Sequence, residues 1–201
     1  MSNRKIGAAA TNWALAYVFA LFAFAHLRLF LEQPRLSLVL IVVMEALLAF
    51  FLLVRKDADQ TWHSWKTWLT TCGGTLAPLL LRPVDANADL LLGQSIQVVG
   101  SILQVIAIIS LNRAMGLLPA HREVKCNGLY RFVRHPLYAA YTIQLLGYLI
   151  SNWSVYNLVV IVVGTCLQIM RIVNEEKLLC QYASYLVFTS RTRWRLIPLV
   201  W

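Results

Sequence analysis

The sequence predicts an all-α fold, a polytopic membrane helix bundle with about six transmembrane helices in one domain, residues 1–201. Two observations predict this class. First, 59% of the residues are hydrophobic and only 13% are charged, whereas a soluble domain carries about 25% charged residues. Second, the hydrophobic residues are collected in long runs, and the mean hydropathy of the chain is +0.64.

Six apolar segments approach the length of about 20 residues that a helix needs to cross a bilayer. The third is short and contains Gly73, Gly74 and Pro78, so a full span and a re-entrant or broken helix both stay open for it. The last two are predicted to form a helical hairpin that turns at Asn152 and Trp153. The segments are residues 12–31, 36–54, 67–81, 90–111, 137–151 and 154–173.

The basic residues predict the orientation of these helices. With a cytoplasmic N-terminus and six crossings, all but Arg28, Arg35 and Arg82 of the 18 lysines and arginines fall on the cytoplasmic side. This distribution is the one that the positive-inside rule describes. It accounts for the net charge of +9, so we expect no nucleic-acid partner. We expect a prokaryotic plasma membrane location, with the endoplasmic reticulum membrane as the alternative.

A few polar residues lie inside the apolar segments. Gly93, Gln97, Gly100 and Gln104 recur at helical spacing and share one face. We interpret this face as a close helix contact, in which small residues pack and glutamines hydrogen-bond across the interface. Glu45 stands alone in the second segment, and we expect a structural role for it over a place in a polar cavity.

Residues 128–141, GLYRFVRHPLYAAY, place cations at the start of an apolar segment. Pro136 suits the first turn of a helix, and the free N–H groups of a helix start attract anions. Arg131 and Arg134 add positive charge. The pattern is consistent with a site for an anionic group at the membrane surface, but composition alone favours ordinary anchoring through lipid phosphates.

A second polar cluster favours a binding site. Arg171 and Glu175 in RIVNEEKLL are four residues apart and therefore neighbours on one helix face. An arginine suits a carboxylate, which it holds with two parallel hydrogen bonds, and an acid suits hydroxyl or ammonium groups. The tail that follows, with Trp194 and Trp201, is predicted to lie on the membrane surface.

Taken together, these segments resemble a known family. GLYRFVRHPLY at 128–138, a hairpin with Asn152 at its turn, R-x-x-x-E-E at Arg171–Glu176, two later tyrosines, and R-L-I-P at 195–198 are similar to the isoprenylcysteine carboxyl methyltransferases. Phospholipid N-methyltransferases share much of this pattern. The resemblance covers roughly residues 112–198, and the first 90 residues are similar only as generic membrane helices.

The resemblance implies an S-adenosyl-L-methionine-dependent enzyme that methylates a lipophilic substrate from the bilayer, with an isoprenylcysteine-like carboxylate as the expected acceptor. It implies a cofactor pocket on the cytoplasmic side within a catalytic core at 91–201, and no metal. Arg171 would be the catalytic and substrate-binding residue. The cofactor contacts implied are Arg122, Glu123, Val124, Lys125, Tyr130, His135, Pro136, Leu137, Tyr138 and Glu175.

Other functions stay open. Membrane-bound NADPH-dependent steroid and sterol reductases carry a similar R-H-P-x-Y motif, but they typically have Asn where this chain has Leu137, and they lack R-x-x-x-E-E in this form. The chain has no G-x-G, which excludes a Rossmann cofactor domain. A membrane scaffold or transporter subunit is a third hypothesis, supported by the polar face of the fourth segment and by Glu45. The acceptor also stays open between a carboxylate, a phospholipid amine, a thiol and another small lipophile.

The predicted topology can be tested with single cysteines in a background that lacks the four native ones. Because the loop after the third span is predicted to lie outside, a membrane-impermeant thiol reagent should label a cysteine at Ala86 in intact cells and leave one at Asn127 unlabelled. Permeabilised cells should label both positions. The opposite pattern in intact cells would contradict the six-span topology.

Overall fold

The structure is a computed structural model that describes residues 3–32, 34, 36–54, 60–61, 65–82, 84, 90–114, 120–121 and 124–201. Within these ranges the chain is essentially all helical, as predicted, apart from one pair of two-residue strands and the connecting segments. The helices are α1 (Asn3–Glu32), α2 (Leu36–Val54), α3 (Trp65–Leu76), α4 (Leu91–Leu111), α5 (Pro136–Ser151), α6 (Val155–Leu179) and α7 (Ala183–Arg191). The strands are β1 (Gln60–Thr61) and β2 (Ala120–His121).

The predicted hairpin forms between α5 and α6, and local sequence explains its ends. Pro136 is the first residue of α5, where its missing N–H removes no helical hydrogen bond. The helix ends at Ser151, and Ser154 caps the start of α6 by accepting a hydrogen bond from the backbone N–H of Asn157. We call this turn the turn end of the bundle, and the opposite end, where α5 begins and α6 finishes, the motif end.

Helices α4 and α5 pack through glycines. A Cβ atom on Gly100 would lie 2.6 Å from the backbone nitrogen of Gln144, and one on Gly147 would lie 2.6 Å from that of Gln97. Because both obstacles are backbone atoms, only glycine permits this approach. Gln104 Nε2 donates to Gln144 Oε1 across the interface at 2.5 Å. The expected contact through small residues and glutamines is therefore confirmed.

Helices α1 and α2 form a pair with a polar contact in its interior. Glu45 is buried, and its Oε2 lies 2.9 Å from His26 Nδ1. The surrounding core contains Ala16 and Leu52 from the same two helices. Glu45 is thus a hydrogen-bonded acid that joins α1 to α2, which agrees with the structural role expected for it.

Helix α3 packs antiparallel along α6 and is broken. A Cβ on Gly74 would lie 3.4 Å from Gln168 Cγ, and one on Gly164 would lie 3.0 Å from Ala77 Cβ. The α-helix has 12 residues, about 18 Å at 1.5 Å per residue, and continues as a 3-10 turn over Ala77–Leu80. The sequence left open whether this segment is a full span or a re-entrant or broken helix, and the structure has a broken helix.

Three links join segments that the positive-inside rule places on the same side. The backbone of β1 pairs with that of β2, and Arg113 Nε donates to the carbonyl of Val54 at 2.7 Å. At the turn end, Asn157 Nδ2 donates to the carbonyls of Arg82 and Asn152, both at 2.8 Å. Because β1 precedes α3 and β2 follows α4, their pairing requires an even number of crossings between them, in agreement with the predicted topology.

Within the described residues, three helices are long and apolar enough to cross a membrane by length and composition: Asn12–Glu32, Leu91–Ala114 and Val155–Leu179. Val39–Val54 is a shorter apolar helix. These helices indicate a membrane protein. Helices α3 and α5 also lie where crossings were expected, but they are shorter than a full span, so the count of six stays a prediction.

Candidate functional site

The site at the motif end begins with a backbone connection between two distant segments. Arg134 N donates to the carbonyl of Trp194 at 2.8 Å, and His135 N donates to that of Arg195 at 2.9 Å. Val133 and Trp194 form a parallel β-bridge. The R-H-P motif and the C-terminal segment that carries R-L-I-P are therefore held side by side, although about 60 residues separate them in the chain.

One carboxylate lies at the centre of this connection. Glu176 is buried, and its Oε1 lies 2.8 Å from Arg134 Nη1 and accepts from His135 Nε2 at 3.2 Å. Its Oε2 accepts from Arg195 Nε at 2.5 Å. Of the pair Glu175–Glu176, only the first acid was predicted from the sequence as a site residue. The two consecutive acids were the sequence signal that could have identified Glu176, because a buried acid close to two basic motifs needs a basic partner.

Glu175 has a different environment, although it is adjacent to Glu176 in sequence. Its Oε2 accepts a hydrogen bond from the hydroxyl of Tyr138 at 3.1 Å. The guanidinium of Arg171 lies 5.1 Å from the centre of the Tyr138 ring, within reach of a cation–π contact. The structure thus brings together three of the predicted site residues, Tyr138, Arg171 and Glu175.

Arg171 is buried, and its Nη1 donates to Thr75 Oγ1 at 3.3 Å. Thr75 belongs to α3, outside the region that resembles a known family, and it was not predicted from the sequence as a site residue. Side chains on a helix lean toward its N-terminus, so Arg171 reaches from its own turn of α6 toward the C-terminal end of α3. Sequence spacing alone gives no signal for a contact between residues almost 100 positions apart.

Tyr130, another predicted cofactor contact, is buried in a cluster with Tyr185 and Phe188, and Val124 packs against that cluster. Thr192 Oγ1 donates to the carbonyl of Tyr130 at 3.3 Å. Burial raises the pKa of the Tyr130 phenol, and burial together with the charge of Glu176 raises the pKa of the Tyr185 phenol. Both phenols therefore stay neutral at physiological pH and keep their hydroxyl protons for donation.

The remaining predicted residues lie at the motif end or beyond the described ranges. His135 and Pro136 are buried at the start of α5, and Leu137 is partly buried. Among the described residues, no side chain caps this helix start, which leaves it available to an anionic group. Lys125 is partly buried. Arg122 and Glu123 lie outside the described residues, so their predicted contacts stay predictions.

The two arginines expected to form an anionic site have separate environments. Arg131 is exposed. Arg134 is held by Glu176 and also donates from Nη2 to the carbonyl of Arg193 at 2.9 Å. The guanidinium of Arg134 is therefore engaged in joining the C-terminal segment to α5, and Arg171 is the deeper basic group, on the α6 face that carries Glu175.

The antiparallel order of α5 and α6 arranges these groups in layers. Glu176 with its three basic partners lies at the motif end, and the pair Tyr138–Glu175 lies next to it. Arg171 with Thr75 follows one turn deeper, toward the middle of the bundle. An acid near the surface and an arginine below it can bind a polar group from the motif end and an anionic group from the bilayer side.

Residues 88–183 match the model of the phospholipid methyltransferase family. The match runs from just before α4 to the first residue of α7 and covers slightly less than half of the chain. It supports a membrane methyltransferase of lipid-related substrates, in the same broad family as the isoprenylcysteine carboxyl methyltransferases. No curated protein matches the chain.

The roles of the two adjacent acids can be separated by mutation. Glu176→Gln should destabilise the protein by about 3–5 kcal/mol, because it leaves buried basic groups without their counter-charge. It should also increase tryptic cleavage after the exposed residues Arg191 and Arg193, since the C-terminal segment loses its attachment. Glu175→Gln is the matched control, and it should change neither the melting temperature nor the cleavage rate appreciably. Equal effects of the two substitutions would contradict the central role of Glu176.

Proposed function

We propose that this protein is an S-adenosyl-L-methionine-dependent membrane methyltransferase whose acceptor is a lipophilic molecule with a carboxylate, similar to an isoprenylcysteine. The observation that carries this proposal is the position of Arg171. It is a buried arginine on α6, one turn deeper than Glu175, and it faces Tyr138 on α5. An arginine at this depth suits a carboxylate, which it can hold with two parallel hydrogen bonds.

The residues at the motif end fit the proposed cofactor. The uncapped start of α5 can bind its carboxylate, and Glu175 can accept hydrogen bonds from its ammonium or ribose hydroxyl groups. The Tyr185 hydroxyl is buried and has no hydrogen-bond partner among the described residues, and the charges of Glu175 and Glu176 act on it. A buried hydroxyl without a partner is typical of a ligand-binding site.

When bound, the cofactor supplies a methyl group on a positively charged sulfur. The chain contributes position and a dry environment. A carboxylate acceptor is ionised at pH 7 and needs no base. Arg171 orients it with paired hydrogen bonds, and Thr75 and the Tyr138 ring hold the guanidinium in place. Positioning of this kind accounts for a large part of the rate of a reaction between two bound groups.

A second candidate is N-methylation of a phospholipid amine. It is favoured by the family match over 88–183. An amine must lose a proton before it attacks, and Glu175, an acid one turn from Arg171 on the same helix face, is the candidate base. In either case we infer one membrane domain, residues 1–201, with lipids as neighbours and a lipophilic molecule as substrate.

The cofactor class is tested by calorimetry on the purified protein in detergent. S-adenosylhomocysteine, the demethylated cofactor, should bind, and NADPH should not, because this chain has Leu137 and R-x-x-x-E-E where the reductases differ. Melting temperatures with each compound provide a second measurement, since a ligand that binds the folded state raises them. Binding of NADPH but not of S-adenosylhomocysteine would contradict this proposal and would favour the reductase hypothesis.

The two layers of the site predict different defects. Glu175→Ala should weaken S-adenosylhomocysteine binding by about 10- to 100-fold, the effect of losing a hydrogen bond to a charged group. Arg171→Ala should leave that binding nearly intact but reduce turnover by about 100-fold or more, because the acceptor is no longer aligned.

Lys177→Ala, which removes an exposed cation from the same helix, is the matched control and should have wild-type values for both measurements. Melting curves identify any variant that fails to fold. A folded Arg171→Ala protein with wild-type turnover would show that Arg171 does not orient the acceptor.

A further inference from the structure

Three buried oxygen atoms in the interior of the bundle have no hydrogen-bond partner among the described residues. They are Thr71 Oγ1 on α3, Tyr141 Oη on α5 and Gln168 Oε1 on α6. Thr71 is 2% exposed and Gln168 is 8% exposed. A buried polar atom without a partner destabilises a protein by about 1–3 kcal/mol, and the interior of a membrane offers no bulk water to replace the partner. Such atoms therefore point to a ligand.

The three oxygens belong to one junction of helices. Gly74 packs against Gln168, and Thr71 lies three residues before Gly74 on the same buried face of α3. Tyr141 lines a small apolar cavity together with Gly74 and Gly164, and Gln168 follows Gly164 by one turn of α6. The antiparallel packing of α3 on α6, with Gly74 beside Gln168, brings Thr71 close to the turn of Arg171.

The junction is continuous with the site of the proposed function. Tyr141 follows Tyr138 by three residues, so both project from the same side of α5, and the charge of Arg171 acts on both phenols. Thr75, the hydrogen-bond partner of Arg171, lies one turn after Thr71 on α3. Tyr141 and Gln168 therefore lie on the deep side of Arg171, away from Glu175 and toward the apolar cavity, whereas Thr71 lies level with the turn of Arg171.

We propose that Tyr141, Gln168 and Thr71 form the head-group site of the acceptor, in which they determine specificity by binding the polar atoms next to the reacting group. This inference rests on the proposed function. Its new content is that α3, outside the region matched by the family model, supplies one wall of the site. The small apolar cavity between α3, α5 and α6, lined by residues such as Ala77, Leu81 and Leu145, then offers the lipid chain an apolar surface next to the head group.

The atoms define the chemistry of that head group. Arg171 takes an anion. The hydroxyls of Tyr141 and Thr71 can donate to a carbonyl or phosphate oxygen, and Gln168 Oε1 requires an N–H or O–H donor. The matching ligand therefore combines an anionic group with a nearby N–H group. An N-acylated amino acid on a lipid chain and an aminophospholipid both have this combination.

The test uses the full-length protein in nanodiscs with S-adenosyl-L-methionine labelled in its methyl group. One arm supplies N-acetyl-S-farnesylcysteine, and the other supplies phosphatidylethanolamine in the nanodisc. Whichever acceptor the wild type methylates identifies the source of the head group. KM and kcat for it are then measured in Tyr141→Phe, Gln168→Met and Thr71→Val, each of which removes the oxygen in question with little change of volume.

Thr70→Val is the matched control. Thr70 is also buried on α3, but its hydroxyl donates to carbonyls of its own helix, Lys66 at 3.0 Å and Thr67 at 3.1 Å. We expect KM for the acceptor to rise about 2- to 10-fold in each of the three variants, the usual effect of one hydrogen bond, with little change for Thr70→Val. The dissociation constant of S-adenosylhomocysteine should be unchanged in all four.

Melting temperatures of the acceptor-free proteins provide a readout independent of activity. Removing an oxygen that has no partner should leave the melting temperature of the Tyr141→Phe protein unchanged or higher. Lower melting temperatures in all three variants, with KM unchanged, would overturn the inference, because the oxygens would then bind structural water. Methylation of neither acceptor by a wild type that still binds S-adenosylhomocysteine would also overturn it, whereas loss of that binding is the separate failure of the proposed function.

Discussion

The carboxylate of Glu176 is the group on which the motif end depends. It accepts charge-assisted hydrogen bonds from Arg134 and His135 of the R-H-P motif and from Arg195 of the R-L-I-P segment, two parts of the sequence that are far apart. Such bonds are about twice as strong as those between neutral groups. Because Arg134 and His135 directly precede α5 and Arg195 belongs to the segment after α7, this single acid fixes that segment against the start of a helix.

The same arrangement explains how two adjacent acids acquire different tasks. Neighbouring residues on a helix point about 100° apart, so Glu176 faces the basic groups and Glu175 faces Tyr138. With Glu176 neutralised by its partners, Glu175 is the acid available to a ligand. Arg171, one turn deeper, faces the same region and is held by Thr75 and the Tyr138 ring. The order of the charged residues along α6 therefore corresponds to their depth in the bundle.

Much of the fold is determined by patterns that the sequence displays openly. Long apolar runs place the chain in a bilayer. There, only helices and closed barrels satisfy the hydrogen-bonding groups of the backbone. The helix starting at Pro136, the hairpin turn near Asn152 and the glycine-glutamine contact of α4 were all predicted, since each depends on neighbours within a few turns. The break in α3 after Leu76 was left open, because Gly73, Gly74 and Pro78 permit both a kinked and a continuous helix.

The candidate site divides in the same way. The sequence predicted Arg171 and Glu175 from their helical spacing, and it predicted Tyr138 through the family resemblance of its motif. Only the tertiary structure decided that Glu176 binds three basic groups, that Thr75 supports Arg171, and that Thr71, Tyr141 and Gln168 leave oxygens unpaired at one junction. The reason is physical: periodicity fixes which residues share a face of one helix, but the partners of that face depend on which helices pack together. Here α6 packs along α3, from which it is separated by more than 70 residues of chain.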